Sequence, residues 1–242
     1  MEETAQVPMS ASRDDERFRR VRDIVSTGEG GHGRRDLCLA GVEVLGVSGM
    51  SLMLRIDGRP TPACASNALA AHLEDLQHTL GEGPGVDAED TGRPVAEPDL
   101  ARPRLVRWVA FGPAALEAGA GALFSFPLRL GAVRLGALTL YEPSAGGLSD
   151  GQHADALVMA GVMFNAILAM QTGAPAGILG RDLEPLADYG AQVHQASGMV
   201  SVQLEVSVGE ALVRLRGHAY AAERPLTDVA ADVVTRRLRL DE

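Results

Sequence analysis

Side chains with bond-making chemistry are few in this chain and thinly spread. All 22 basic residues are arginine, which removes lysine chemistry: there is no Schiff-base amine and no phosphate-loop lysine. The histidines, His32, His72, His78, His153, His194 and His218, are scattered. His78, beside a Gly/Pro-rich stretch, is placed to reach a haem iron or a small molecule. Without a Cys or His partner at ligand spacing, it reads first as a surface or locally hydrogen-bonded helix residue. Cys38 and Cys64 stand apart with no metal or redox spacing, and each reads as a small buried apolar residue rather than a reactive thiolate. Ser48-Gly49 and Ser197-Gly198 lack the pattern of a nucleophile elbow. The carboxylates of Glu89-Asp90 and Asp14-Asp15-Glu16 read as solvated loop and helix-start positions, where negative charge suits the helix dipole. Gly28-Glu29-Gly30-Gly31-His32-Gly33 has the glycine content of a phosphate loop, but no strand precedes it and no Gly-Lys-Ser follows, so it reads as a connector. The expectation is a protein that is not an enzyme and carries neither metal nor cofactor.

What remains is recognition, which depends on the elements that hold the side chains. With 46% hydrophobic and 22% charged residues, the 242-residue chain is globular and long enough for one large or two modest domains. No apolar run of membrane-spanning length and no signal segment is present, so the expected compartment is the cytoplasm, with no membrane partner. The net charge of -10 argues against a broad basic surface.

Along the chain, residues 1–13 are small and polar and are expected to be disordered. Phe18, Val21, Ile24 and Val25 have helical spacing, and Leu37, Gly41, Val44 and Leu45 mark a second helix face. The period then changes to that of strands at Gly49–Ile56, with Asp57-Gly58 as a hairpin signal before a shorter strand over 62–66. Residues 68–80 form an amphipathic helix with Leu69, Leu73, Leu76 and Leu80 inward, followed by a Gly/Pro-rich loop from Gly81 to Pro94. A helix lies within 104–118, around Trp108 and Phe111. Strands over 122–128 and 133–141 turn at Gly131-Ala132, and a long helix from Ser149 to about Met170 puts Leu157, Gly161, Phe164, Ile167 and Leu168 on one side. This is an α+β domain on an antiparallel sheet over 14–171, followed by a linker at 172–180.

Residues 181–239 read as three helices. Leu186, Tyr189, Val193, Ala196 and Val200 share one face of the first, whose length suggests a homodimer seam. Ser207 and Glu210 form a reciprocal capping box, with Val206 stapling onto Ala211. Ala211, Leu212, Leu215 and Ala219 line the second helix; Val229, Ala230, Val233 and Val234 line the third, entered through Arg224-Pro225. The Gln-Ala-x-Gly-Met signature at 195–199, the capped Glu210-Ala211 with Leu215-Arg216 behind it, and Asp228-Val229-Ala230 in the third helix resemble the ANTAR family of RNA-binding antitermination regulators. Gly46–Leu52, Thr79–Pro84, Phe126–Gly131 and Leu135–Tyr141 resemble a GAF domain, a sensory or dimerising module, in the version fused to ANTAR.

The ANTAR resemblance implies transcription antitermination through binding of paired stem-loops in leader transcripts, one per protomer of a dimer. It assigns RNA contact to Gln195, Ala196, Ser197, Gly198, Gln203, Arg216 and Thr227 on an exposed face, with Arg214, Arg236 and Arg237 as phosphate contacts. Gly198 allows close backbone approach, and Arg216 offers a guanidinium for a phosphate or an unpaired base. Where many relatives carry Lys, this chain has Ser197. The GAF resemblance implies a small-molecule pocket between the sheet and the 81–100 loop; where related chains often have Cys after Gly-Pro, Gly85 stands here. Against RNA binding stands the charge of 181–242, with seven Arg against ten Asp and Glu. That balance favours the alternative of a GAF-based dimeric signalling and protein-interaction module without RNA binding.

Overall fold

The computed structural model describes Arg19 and residues 34–56, 59–103, 107–171 and 184–240. The expected disordered start, the helix around Phe18, the 28–33 connector, the Asp57-Gly58 turn and the 172–180 linker lie outside the described residues. Strand alternation sets the architecture of the front part. In β1 (Gly49–Ile56), Met50, Leu52 and Leu54 face one way; in β4 (Ala122–Leu130), so do Phe124, Phe126 and Leu128; in β5 (Val133–Glu142), Leu138 and Leu140. Large apolar side chains at every second position need a covering layer. It is supplied by α1 (Arg34–Leu45) through Cys38, Val44 and Leu45, and by α5 (Asp150–Gln171) through Ala156, Met159, Ala160, Met163 and Ile167.

The opposite sheet face is smaller and more polar: Ser51 and Met53 on β1, Ser125 on β4, Ala137 and Thr139 on β5. Helices α2 (Ala68–Leu80), α3 (Pro84–Thr91) and α4 (Phe111–Glu117) cover it. With β2 (Arg59–Ala65) and β3 (Val95–Glu97), the five strands run in the order β2-β1-β5-β4-β3, every neighbouring pair antiparallel. Gly136, at φ +144, lies so close to β1 that a Cβ there would sit 1.9 Å from the Met53 carbonyl oxygen; only glycine lets the two strands approach this way.

Several expectations are corrected. Residues 84–91 form a helix rather than a loop: Pro84 fits the first turn, and Gly92 ends it with left-handed φ. In α5 the buried stripe includes Phe164 and Ile167, but Leu157 is 47% exposed and Gly161 is also outside. This helix is apolar nearly all round, so its period does not choose a face. In α2, Leu73 is buried, and Leu69, Leu76 and Leu80 pack partly on the Trp108–Phe111 cluster, yet Glu74, Gln77 and His78 are buried as well. The helix is enclosed on two sides. Finally, Cys38 and Cys64 are not isolated. They form a disulfide with Cα atoms 6.1 Å apart, joining α1 to β2.

The tail consists of α6 (Glu184–Leu204), α7 (Val208–Ala221) and α8 (Leu226–Val234). Val193, Ala196 and Val200 meet Ala211, Leu215, Ala219, Leu226, Val229, Ala230 and Val233 in a separate core. The Ser207 hydroxyl accepts from the Glu210 amide at 3.1 Å, but the Glu210 carboxylate pairs with Arg214 at 3.5 Å. The cap is therefore one-sided. Ser207→Ala is expected to cost about 1 kcal/mol, measurable as a lower urea midpoint with unchanged slope. α6 lies along edge strand β2, while α7 and α8 rest on α2, so the tail encloses the polar side of that helix.

Candidate functional site

Where the small-residue sheet face meets α2 and α3, a cavity of about 250 Å³ remains. Its wall comprises Met53 and Arg55 of β1, Glu74, Gln77 and His78 of α2, Gly85, Val86 and Glu89 of α3, and Arg216 of the tail. The pocket expected between the sheet and the 81–100 segment is thus present, with two differences. Its outer wall is a helix, and one of its side chains comes from the other end of the chain.

The polar groups of this wall are held in place from behind. The Gly85 amide donates to Gln77 Oε1 at 2.6 Å, which fixes the amide orientation and leaves Nε2 as the free end. The Ser51 hydroxyl donates to Glu74 Oε2 at 2.5 Å, leaving Oε1. Glu89, expected to be solvated, is instead 6% exposed and ion-paired with Arg55. His78, expected on the surface, is buried, and neither ring nitrogen has a partner. Gln77 Nε2, Glu74 Oε1 and Arg216 Nε share that condition. Buried polar atoms without partners are uncommon and costly; among the described residues these five belong to side chains lining one cavity, while Glu97 Oε1 and Gln203 Oε1 lie elsewhere. Burial pushes the Glu74 carboxyl up to about 7, with the Ser51 hydrogen bond opposing. It lowers His78 to about 4, aided by the positive charge of Arg216. Near neutral pH His78 is uncharged, offering one donor and one acceptor.

α4 is anchored beside this region. Glu82 accepts from the Ala110 and Phe111 amides at 3.0 and 3.1 Å, satisfying N-terminal groups that would otherwise be orphaned. Trp108 donates to Asp87 at 3.1 Å, and Arg107 stacks over its ring. No signal in the sequence singled out Glu74 or Gln77, because both sit at helical positions that also suit a solvated face.

The residues assigned to RNA contact do not share one exposed face. Ala196, Ser197 and Thr227 are buried; Ala196 is in the tail core, and the Ser197 hydroxyl donates back to the Val193 carbonyl at 2.8 Å. Arg216 is turned towards the front domain: a Cβ on Gly81 would lie 2.4 Å from its Nη1. Burial holds its guanidinium below the usual arginine range. Arg214 is tied to Glu210, and Arg237 to Asp232 at 2.8 Å. Asp232 also binds Arg224 at 2.7 Å; these hydrogen bonds hold its carboxyl below the usual range. The structure does bring together Gln195, Gly198, Gln203 and Arg236. With Arg239, Met199 and Val202 they border a depression of about 750 Å³ between α6 and the segment after α8.

Among the described residues no helix is long and apolar enough to cross a membrane, and no group of three or more His, Cys, Asp or Glu is placed to hold a metal. No family model matches the chain, and no curated protein matches it. Among solved structures it is similar to the GAF domain of a phosphoenolpyruvate-protein phosphotransferase from Coxiella burnetii, at 16% identity and TM-score 0.49, covering 68% of this chain and 99% of that one. It is also similar to the GAF domain of the Acinetobacter phosphoenolpyruvate-protein phosphotransferase, at 11% identity and TM-score 0.46, covering 68% and 97%. A third is free methionine-R-sulfoxide reductase from Neisseria meningitidis in complex with its substrate, at 13% and 0.48, covering 69% and 96%. At such identities and scores, nothing those proteins bind or catalyse transfers to this chain.

Proposed function

We propose that the chain is a non-enzymatic regulator: a GAF-type front domain that senses a small molecule, and an ANTAR-type tail that binds RNA stem-loops and controls antitermination. One observation carries the RNA half. Gln195, Gln203, Arg236 and Arg239 converge on a single depression beside the small residue Gly198. Amide and guanidinium donors around a concave patch suit phosphates and unpaired bases. Ala196, Ser197 and Thr227 act there only by shaping the helix packing, and Arg216 belongs to the front cavity. In a homodimer each protomer would hold one hairpin of a pair, and the regulator would work by favouring one RNA fold over another.

The test is a gel shift of the full chain against tandem hairpins, with an Arg236→Ala/Arg239→Ala double variant. Wild type should bind in dilute buffer, and the variant should lose about tenfold or more. Its log-log salt slope should fall by about 2, one for each phosphate contact removed. Equal binding and equal slopes would remove this depression from the RNA interface. A protein-interaction module is the second reading, favoured by Val202, which is 81% exposed at the same depression. Its signature is partner binding that changes little with salt.

A further inference from the structure

We propose that Arg216 is a ligand-contacting residue of the front cavity, and that the cavity takes a small carboxylate bearing a hydrogen-bond donor near the carboxyl group, such as a hydroxyl or an ammonium. This deepens the reading of the front domain as a sensor and rests on it. Among the side chains that line the cavity, Gln77 Nε2, Arg216 Nε, Glu74 Oε1 and the two nitrogens of His78 are buried and unpaired. Gln77 Nε2 and Arg216 Nε can only donate, and one nitrogen of neutral His78 also donates. Together they call for an acceptor-rich group, and a guanidinium beside amide and imidazole donors matches a carboxylate. The other His78 nitrogen can accept, which calls for a donor on the same molecule. Burial favours the protonated form of Glu74; with Oε2 engaged by Ser51, its proton sits on Oε1, which then donates and adds a partner for the carboxylate. The volume of about 250 Å³ lies below the roughly 300–1,000 Å³ of drug-sized pockets, so the ligand is small.

The backbone is arranged to bring Arg216 in. Gly81 ends α2 with φ +66, and its missing side chain leaves the space occupied by the guanidinium. Arg216 leaves α7, the middle helix of the tail, to reach that place. A ligand bridging α2 and Arg216 therefore adds affinity between tail and front domain, and ligand occupancy changes how firmly the tail is docked. By linkage, anything that pulls the tail away weakens the ligand equally.

Binding of L-lactate, L-alanine and propionate to the full chain is measured by titration calorimetry, with propionate as the isostere that lacks the donor. L-Lactate or L-alanine should saturate the protein, and propionate should bind at least about tenfold more weakly, because the His78 acceptor stays unpaired. Arg216→Met should lose about tenfold or more in affinity for the better probe, whereas Arg214→Ala, on the exposed side of the same helix, should match wild type. Thermal melts keep the result readable. Without ligand, Arg216→Met should melt at or above the wild-type temperature, because it removes a buried, unpaired Nε; a purely structural arginine would give a lower melting temperature. Absence of saturation by both lactate and alanine, or wild-type affinity in Arg216→Met, overturns the proposal. The hairpin gel shift is scored separately on the Arg236/Arg239 variant, so RNA binding without lactate or alanine binding sinks this inference alone.

Discussion

Reducing the Cys38–Cys64 bridge is expected to lower the stability of the full chain by about 3.5 kcal/mol on a chain-entropy estimate for a loop of this size. The bond closes a segment of 26 residues, and cutting it returns that loop's freedom to the unfolded chain. The bridge also ties α1, under the sheet, to β2, the edge strand along which α6 lies. Urea unfolding with and without dithiothreitol measures the effect, with Cys38→Ser/Cys64→Ser as the permanently open form. Coincident midpoints for wild type in the two conditions would mean that the pair is not joined in solution. Disulfides persist in oxidising surroundings and are rare in the cytosol. The bridge therefore makes stability depend on compartment, a dependence absent from the expectation of two separate apolar cysteines.

The second large effect belongs to Glu74. Its carboxyl, ordinarily 4.5, stands at about 7 in the folded chain because burial disfavours the charge. The native state therefore holds the proton that the unfolded state releases between these values. Stability from this group is complete below pH 4.5 and is lost as pH rises through 7, by about 3 kcal/mol. His78 works the other way. Lowered from 6.5 to about 4, it contributes stability above pH 6.5 that is lost as pH falls through 4. Between pH 4.5 and 6.5 the two slopes oppose each other. Glu74→Gln keeps an acceptor for the Ser51 hydroxyl and removes only the acidic titration. The variant should match wild type below pH 4.5 and exceed it by about 3 kcal/mol above pH 7. Urea midpoints from pH 4 to 8 give this difference curve; a difference that stays constant with pH would show that Glu74 does not titrate in this way.

Both effects arise from groups that the sequence alone left unremarkable, for related reasons. Cys38 and Cys64 lie in different elements, and their pairing depends on how α1 packs under β2. Glu74 and Gln77 occupy helix positions that look solvated while α2 is taken as a surface helix with one apolar stripe. They become buried because the sheet covers one side of α2 and the tail another. His78 follows the same logic. The Gly81–Pro94 stretch illustrates a different failure: its glycines and proline read as a loop, but Pro84 and Gly92 are start and stop signals for a helix of eight residues. Arg216, expected on an exposed face, lies against Gly81 instead, because helical spacing gives a side chain's direction about the helix axis without saying which neighbour lies there.

By itself the sequence determined the local elements. Strand alternation marked β1, β4 and β5; leucines spaced along 68–80 marked α2; and the Ser207 cap with the Ala211–Leu215–Ala219 stripe marked α7. These signals act between residues a few positions apart, so they survive without knowledge of the rest of the chain. Tertiary structure decided the sheet order, the buried side of α5, the union of the two cysteines, and the meeting of Glu74, Gln77 and His78 with Arg216. Such outcomes depend on contacts between segments far apart in sequence, where burial and charge are properties of the whole packing and no local period records them.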